Sequence, residues 1–389
     1  MANLERKDLS VHIADQAAEN APDASPSFKV IRGTSGIIQS SPTYVTSNEI
    51  VIDGQAAQQV QDRTESTLTR EFDVTQETIK LFKDVIHGVD DDNSISGSIT
   101  IASDAAGFVS TANDFANLSV GDWFMAEGFT DTSINTLYKI TAKADDNNID
   151  TATAPLAIEV AGNSITFESI KVASGLTKSL KTIQNRVFDD SKVGDIDYAS
   201  FLNCFASTGS FSVDKSGIVT GSIEYKVPRP VAGTAALPSQ ADTAKDASDV
   251  VSAINNISAF YENGINSNCN IQTMSIEFNN NYEGDGGAAG CTDEQFGRGT
   301  ISVTGSILTR TVKANSMVWS DKNRQGTRQP IAVGFTWPDG NWAIMEIRQA
   351  VITSHTFTDG DVVVANEMEY AADPDSTLGH TFAIYTNIV

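Results

Sequence analysis

Few residues in this chain combine the types and spacing that chemistry needs. Gly284, Gly286 and Ala289 follow an apolar run at the spacing of a dinucleotide fingerprint. That fingerprint requires a helix next, whose N-terminal amides hold pyrophosphate, and Cys291-Thr292-Asp293-Glu294 reads instead as more polar loop. Asp90, Asp92 and Ser94 open like a calcium loop. However, Ile95 stands where a glycine should make the turn, and Ile101 where a bidentate glutamate should close the site. His12, His87, His355 and His380 lie far apart, with neither HxxxH nor HExxH spacing for a metal. No G-x-S-x-G elbow presents a serine nucleophile. The chain has 50 acids, so many carboxylate pairs could serve as acid and base and none is singled out. Cys204, Cys269 and Cys291 are odd in number and lack CxxC spacing, which argues against a disulfide framework or a zinc site and fits a reducing cytosol. Asn117-Leu118-Ser119 and Asn256-Ile257-Ser258 match the glycosylation sequon, but Met1 to Ser10 shows no secretory leader. The expectation is a non-enzymatic protein with no cofactor and no metal.

Any function must then lie in the elements, and these are mainly β. Asn48-Glu49-Ile50-Val51-Ile52 leads through a polar loop to Ser66-Thr67-Leu68-Thr69-Arg70. Later, Met274-Ser275-Ile276-Glu277-Phe278 leads through a longer loop to Ser306-Ile307-Leu308-Thr309-Arg310. Each half also holds a similar strand, Ile223-Glu224-Tyr225 and Met368-Glu369-Tyr370. The same order twice suggests a tandem duplication of one β-sandwich or barrel unit with a flanking helix. In the first half Asp73 and Gln76 stand at N-cap and N3 spacing, and Ile79, Phe82 and Ile86 share a face. Gly88 is placed to end that helix. Val312 to Lys322 is the weaker helix candidate of the second half. Pro338-Asp339-Gly340 joins two long strand patterns as a hairpin.

The expected organisation is an N-terminal arm over 1–36, a first unit over 37–95 and 173–231, a small inserted β domain over 96–172, a linker over 232–270 and a second unit over 271–389. The insert is marked by short alternating strands between Gly, Asn and Asp clusters. Net charge is −24, which disfavours nucleic-acid binding, since phosphate contacts need Lys and Arg. No apolar run has the length of a membrane span.

Four stretches resemble the tail tube proteins of long-tailed, non-contractile bacteriophages. They are Thr46-Ser47-Asn48-Glu49-Ile50 with Asp62-Arg63, Gly217-Ile218-Val219-Thr220-Gly221-Ser222, Gln272 to Asn280, and Arg298 to Gly305. The likeness spans roughly residues 30–389. It implies a virion protein, assembled in the host cytoplasm, whose rings stack into the conduit for DNA ejection. Family rings are sixfold, so a chain with two units would close as a trimer with pseudo-sixfold symmetry, and a chain with one as a hexamer. The resemblance also implies a tape measure protein inside the tube and terminator and distal tail proteins at its ends. DNA would pass without specific binding.

On this reading Glu224, Glu369, Ser302, Thr304 and Ser306 are candidates for a sheet face lining the lumen, against the alternative of an outer solvated face. Asp53, Gln55, Gln58 and Gln61 in the first loop, and Asn281, Glu283, Asp285 and Asp293 in the second, are candidates for inter-ring contacts, against the alternative of plain surface loop. The competing function is a multidomain β-rich adhesin or carbohydrate-binding virion protein. It would expose an aromatic platform from Trp123, Trp337 or Trp342.

Overall fold

A computed structural model describes residues 9–19, 21–33, 38–46, 59–101, 106–155, 165–188, 196–215, 217–231, 235–244, 246–262, 265–266, 271–284, 296–310, 317–358, 364–375 and 379–388. The chain is mainly β.

Its centre is one continuous run of antiparallel strands. In spatial order these are Gln39–Thr46, Gln59–Asp73, Thr220–Lys226, Ile196–Asp214, Ile271–Asn279, Ser302–Arg310, Ala365–Asp373 and Trp342–Thr358. The first four strands connect in the same way as the last four. In each set a hairpin is followed by a helical segment, and a long strand then pairs with the strand that follows it.

The two long strands also leave this layer. The first part of Ile196–Asp214 pairs with Lys181–Phe188, and the first part of Trp342–Thr358 pairs with Arg328–Thr336 and Phe382–Thr386. A second layer results, packed on the first. Ile223, Phe211, Ile276, Ile307 and Met368 from one layer meet Ile183, Val333, Phe335 and Met345 from the other in a single core. Alternation in the first layer sends every second residue into this core and the rest to an open face.

Each long strand carries a β-bulge where it changes layer, between Ala206 and Thr208 in one and between Ile352 and Ser354 in the other. A bulge bends its strand and strengthens the local twist, as a strand shared by two layers requires.

Several elements differ from the sequence expectation. Leu9–Asp15 is a strand in full register with Lys181–Phe188, and its Val11 and Ile13 are buried, so the expected arm contributes to the core. Its Val/Ile alternation is short, and only a partner about 170 residues away makes it a strand. Within the expected linker, Ile257–Glu262 pairs with Arg328–Thr336 and Val251 is fully buried. The first helix is two short helices, Gln76–Ile79 and Phe82–Ile86. Thr75 rather than Asp73 caps it, in a capping box with Thr78, and His87 rather than Gly88 takes the left-handed position (φ 51°). The second helix is Val318–Gln325, closed by Gly326 at φ 60°.

Asn48–Ile52, half of the first repeated string, lies outside the described residues. The strings Ser66–Arg70 and Ser306–Arg310 are not in structural register. Ser66 shares the buried face of Leu68, whereas Ser306 lies opposite the buried Ile307. A one-residue difference of this kind exchanges the two faces of a strand.

The strands from Ile95–Gly97 to Ile165–Glu168 form a separate 7-stranded sheet around Phe108, Phe124, Phe167 and Tyr138. Ile170–Ala173, by contrast, pairs with Asp90–Asp92 and Phe382–Thr386 in the main body. The small domain sits on the outer face of the second layer. There Trp123 and Leu137 pack against Tyr261, Trp342, Ile344 and Tyr385. It therefore lies on the opposite side of the molecule from the open face.

Candidate functional site

The open face of the central sheet is built from rows of paired residues. One row runs Thr69, Glu224, Thr208, Asn279, Ser302. The next runs Glu71, Ser222, Ser210, Glu277, Thr304, Ala371, and the third Asp73, Thr220, Ser212, Ser275, Ser306, Glu369, Ser354. A fourth adds Asp214, Thr273, Leu308, Glu367 and Thr356. The five candidates Glu224, Glu369, Ser302, Thr304 and Ser306 are thus on one face of one sheet.

Sequence reading missed Glu71, Asp73, Asp214, Glu277 and Glu367, which share it. Period-two alternation within each strand was the signal that could have found them. Among the described side chains, the bases on this face are Lys226, 2.9 Å from Glu224, and the exposed Arg310. Hydroxyls tie the surface together, with Ser210 to Ser222 at 2.8 Å, Ser275 to Ser306 at 3.0 Å, and Ser207 donating to Glu224 at 3.0 Å. Among the described side chains the face is hydroxylated and predominantly acidic, a poor surface for a phosphate backbone.

Glu224 and Glu369 occupy matching places. Each pairs with the residue just past the bulge of its long strand, Thr208 or Ser354. Each is followed by a fully or nearly buried tyrosine, Tyr225 or Tyr370. Glycines let this layer pack tightly. A Cβ on Gly221 would strike the rings of Phe72 and Phe82, and one on Gly305 would strike Tyr370.

Both interrupting loops leave the sheet at the same end. The pairing of Gln39–Thr46 with Gln59–Asp73 continues beyond the Thr69 row, and the second loop departs after Asn279. Of the candidate inter-ring residues, Asp53, Gln55, Gln58, Asp285 and Asp293 lie outside the described residues, as does the side chain of Gln61. Asn281 and Glu283 are exposed at the base of the second loop, where Tyr282–Gly284 pairs with Phe296–Arg298.

That base is anchored. The Tyr282 hydroxyl is 2.7 Å from His87 Nε2, and Arg298 donates to the Gly175 carbonyl at 2.6 Å. Burial, helped by the cations Arg298, Lys178 and Lys181, pulls His87 down to about 3, and burial pushes Tyr282 up to about 12. The pair is a neutral hydrogen bond at neutral pH. Nearby, burial raises the Asp84 carboxyl despite Lys181 at 2.6 Å, and Tyr225 donates to it at 3.3 Å.

A second buried ionic cluster joins the small domain to the body. Lys139 pairs with Glu346, and Arg348 lies 3.2 Å from both Glu346 and Asp122. Lys171 adds a 3.1 Å contact to Asp122, and the Tyr385 hydroxyl donates to the same carboxylate. The cluster is a mount: its groups are paired with one another and covered by both partners.

No group of His, Cys, Asp and Glu able to hold a metal ion occurs among the described residues. Among the described residues no helix is long and apolar enough to cross a membrane. Trp123, Trp337 and Trp342 are at most 4% exposed, so none can serve as a stacking platform. No curated protein matches the chain. The family model for phage tail tube protein matches residues 7–375, nearly the whole sequence, and the chain therefore belongs to the phage tail tube proteins, structural components of the virion tail.

Proposed function

We propose that three copies of this chain close edge to edge into a ring whose inner wall is the open acidic face, and that stacked rings form the conduit for DNA ejection. One observation carries the reading. Inside the chain, the long strand Ile196–Asp214 pairs along its second part with Ile271–Asn279, joining the two halves of the sheet. The equivalent edge of the second half, past the bulge in Trp342–Thr358, has no partner strand among the described residues. Neither has the outer edge of Gln39–Thr46, the counterpart of Ile271–Asn279 in the first half. The internal junction is thus a template for the junction between copies, and two tandem units per chain support three copies in place of six.

Closing the ring removes both unpaired edges, which would otherwise recruit other chains. A closed barrel of about twenty-four strands at about 4.8 Å spacing, tilted by about 40°, is on the order of 45 Å across. Its lining of carboxylates and hydroxyls repels phosphate, so duplex DNA passes without adhering. The small domain faces outward.

Electron microscopy of the purified protein at rising concentration, with image averaging, tests the reading. Hollow stacked rings carrying three small domains around each ring are expected. Six domains per ring would overturn the trimer, and persistent monomers would overturn ring formation by this chain alone.

A further inference from the structure

We propose that rings stack by seating Leu176 of one copy in an apolar cavity at the opposite end of a copy in the next ring. The proposal rests on the tube reading above and assigns its axial contact. Leu176 is 93% exposed, and Val89 close by is 75% exposed. Their segments meet, since Gly175 packs beside His87 and Gly88. Single exposed aliphatics are ordinary, but the backbone beneath Leu176 is held on several sides. The Gly175 amide donates to the Ile86 carbonyl at 2.9 Å, Arg298 donates to the Gly175 carbonyl, and Lys178 donates to the Phe296 carbonyl at 2.6 Å. A leucine presented to solvent on a fixed base costs little additional ordering when a partner covers it.

The partner surface lies at the other end of the same strands. A cavity of about 460 Å³ opens where the two layers part, lined by Val213, Ile254, Ile257, Ile271 and Met274. Ile254 forms its lip at 73% exposure. Lys178 lies over the Phe205 ring, which places the Leu176 end beside Phe205, whereas the cavity is beside Val213 of the same strand. Eight residues of strand separate the two by roughly 26 Å. A knob and a hollow at opposite ends of one molecule cannot satisfy each other within it. They make a heterologous contact that propagates as a stack of copies.

The test uses the full-length chain. Leu176→Asp, an exposed change that leaves the core untouched, should still give rings but should raise the concentration needed for stacking at least about tenfold, by loss of apolar burial. Leu176→Cys with Ile254→Cys, in a background with Cys269 and Cys291 replaced by Ser, should form disulfides between rings under mild oxidation. Either single cysteine should form none. Normal tubes from Leu176→Asp together with no Leu176–Ile254 cross-link would overturn this contact while leaving the ring reading intact. Absence of rings from the unaltered chain would overturn both.

Discussion

The junction between copies can be predicted residue by residue. Equating the two bulges places Ser354 where Thr208 stands, because each is the first residue past its bulge and each pairs with the matching glutamate. Equating Thr69 with Ser306, the other partners of those glutamates, places Ser41 where Asn279 stands. The reason is that Asn279 pairs with Ser302, four residues before Ser306, and Ser41 pairs with Glu65, four before Thr69. Thr208 and Asn279 are directly paired in the chain. Ser354 of one copy should therefore lie opposite Ser41 of the next, with Cβ atoms about 4.5–5.5 Å apart, within a small adjustment of the disulfide range. The variant Ser41→Cys with Ser354→Cys, again lacking Cys269 and Cys291, should oxidise to a covalent circle of three chains on a non-reducing gel. Cys204 should not interfere, since it is fully buried and burial pushes its thiol far up. Thr43→Cys with Ser354→Cys is the register control, at about 7–8 Å, and should cross-link poorly. Equal yields from both pairs would refute the register, and a circle of six would refute the three-chain ring.

Three other outcomes follow from the same geometry. Replacing Glu71, Glu277 and Glu369 together with Lys should make tubes retain fluorescent duplex DNA in a sedimentation assay. With about three phosphate contacts, affinity should fall about forty-fold between 50 and 200 mM salt; retention by unaltered tubes would remove the argument for a repelling lumen. Burial, with cationic neighbours, holds His87 at about 3 and His12 at about 4, against 6.5 when unperturbed. The folded chain then binds fewer protons than the unfolded one between those values. Stability is therefore full above pH 6.5 and declines as pH falls toward 4, by up to about 1.4 kcal/mol per pH unit for each histidine. His87→Asn, which suits the left-handed backbone, should flatten that decline in Tm, and an unchanged slope would mean that His87 does not remain neutral in the fold. Glu346→Gln strands a buried Lys139 and should cost about 3–5 kcal/mol in denaturant unfolding, whereas Lys139→Met with Glu346→Leu should recover most of it. Equal losses from the two variants would show that the pair itself, and not the orphaned charge, carries the stability.

What the sequence made legible depended on whether the signal was local. Ile223-Glu224-Tyr225 and Met368-Glu369-Tyr370 could be matched because each places a glutamate between two core residues, and the structure sets both beside a bulge. The match of Ser66–Arg70 to Ser306–Arg310 used the same kind of string but ignored which face each residue takes. Leu9–Asp15 needed Lys181–Phe188 to declare it a strand, and the left-handed His87 is held by Ser179 and Tyr282 from elsewhere in the chain. The buried cluster was the least visible. Asp122, Lys139, Glu346 and Arg348 read as the polar side of ordinary alternating strands until a second domain covers them.

The open face and the free edges also bear on each other. A sheet that leaves a full polar face to water is unremarkable in an antiparallel protein. A sheet that also ends in two strands without an outer partner among the described residues, one of them continuing 17 residues through both layers, carries an aggregation hazard. A carbohydrate-binding module gains nothing from that hazard, since its site would need exposed aromatics, and the described tryptophans are buried. A ring subunit needs both features at once. The edges must stay available for the next copy, and the polar face must remain uncovered once they are joined. The internal junction already contains one such pairing of edges, which supports the proposed closure by further copies with the acidic face on the inside of the curve.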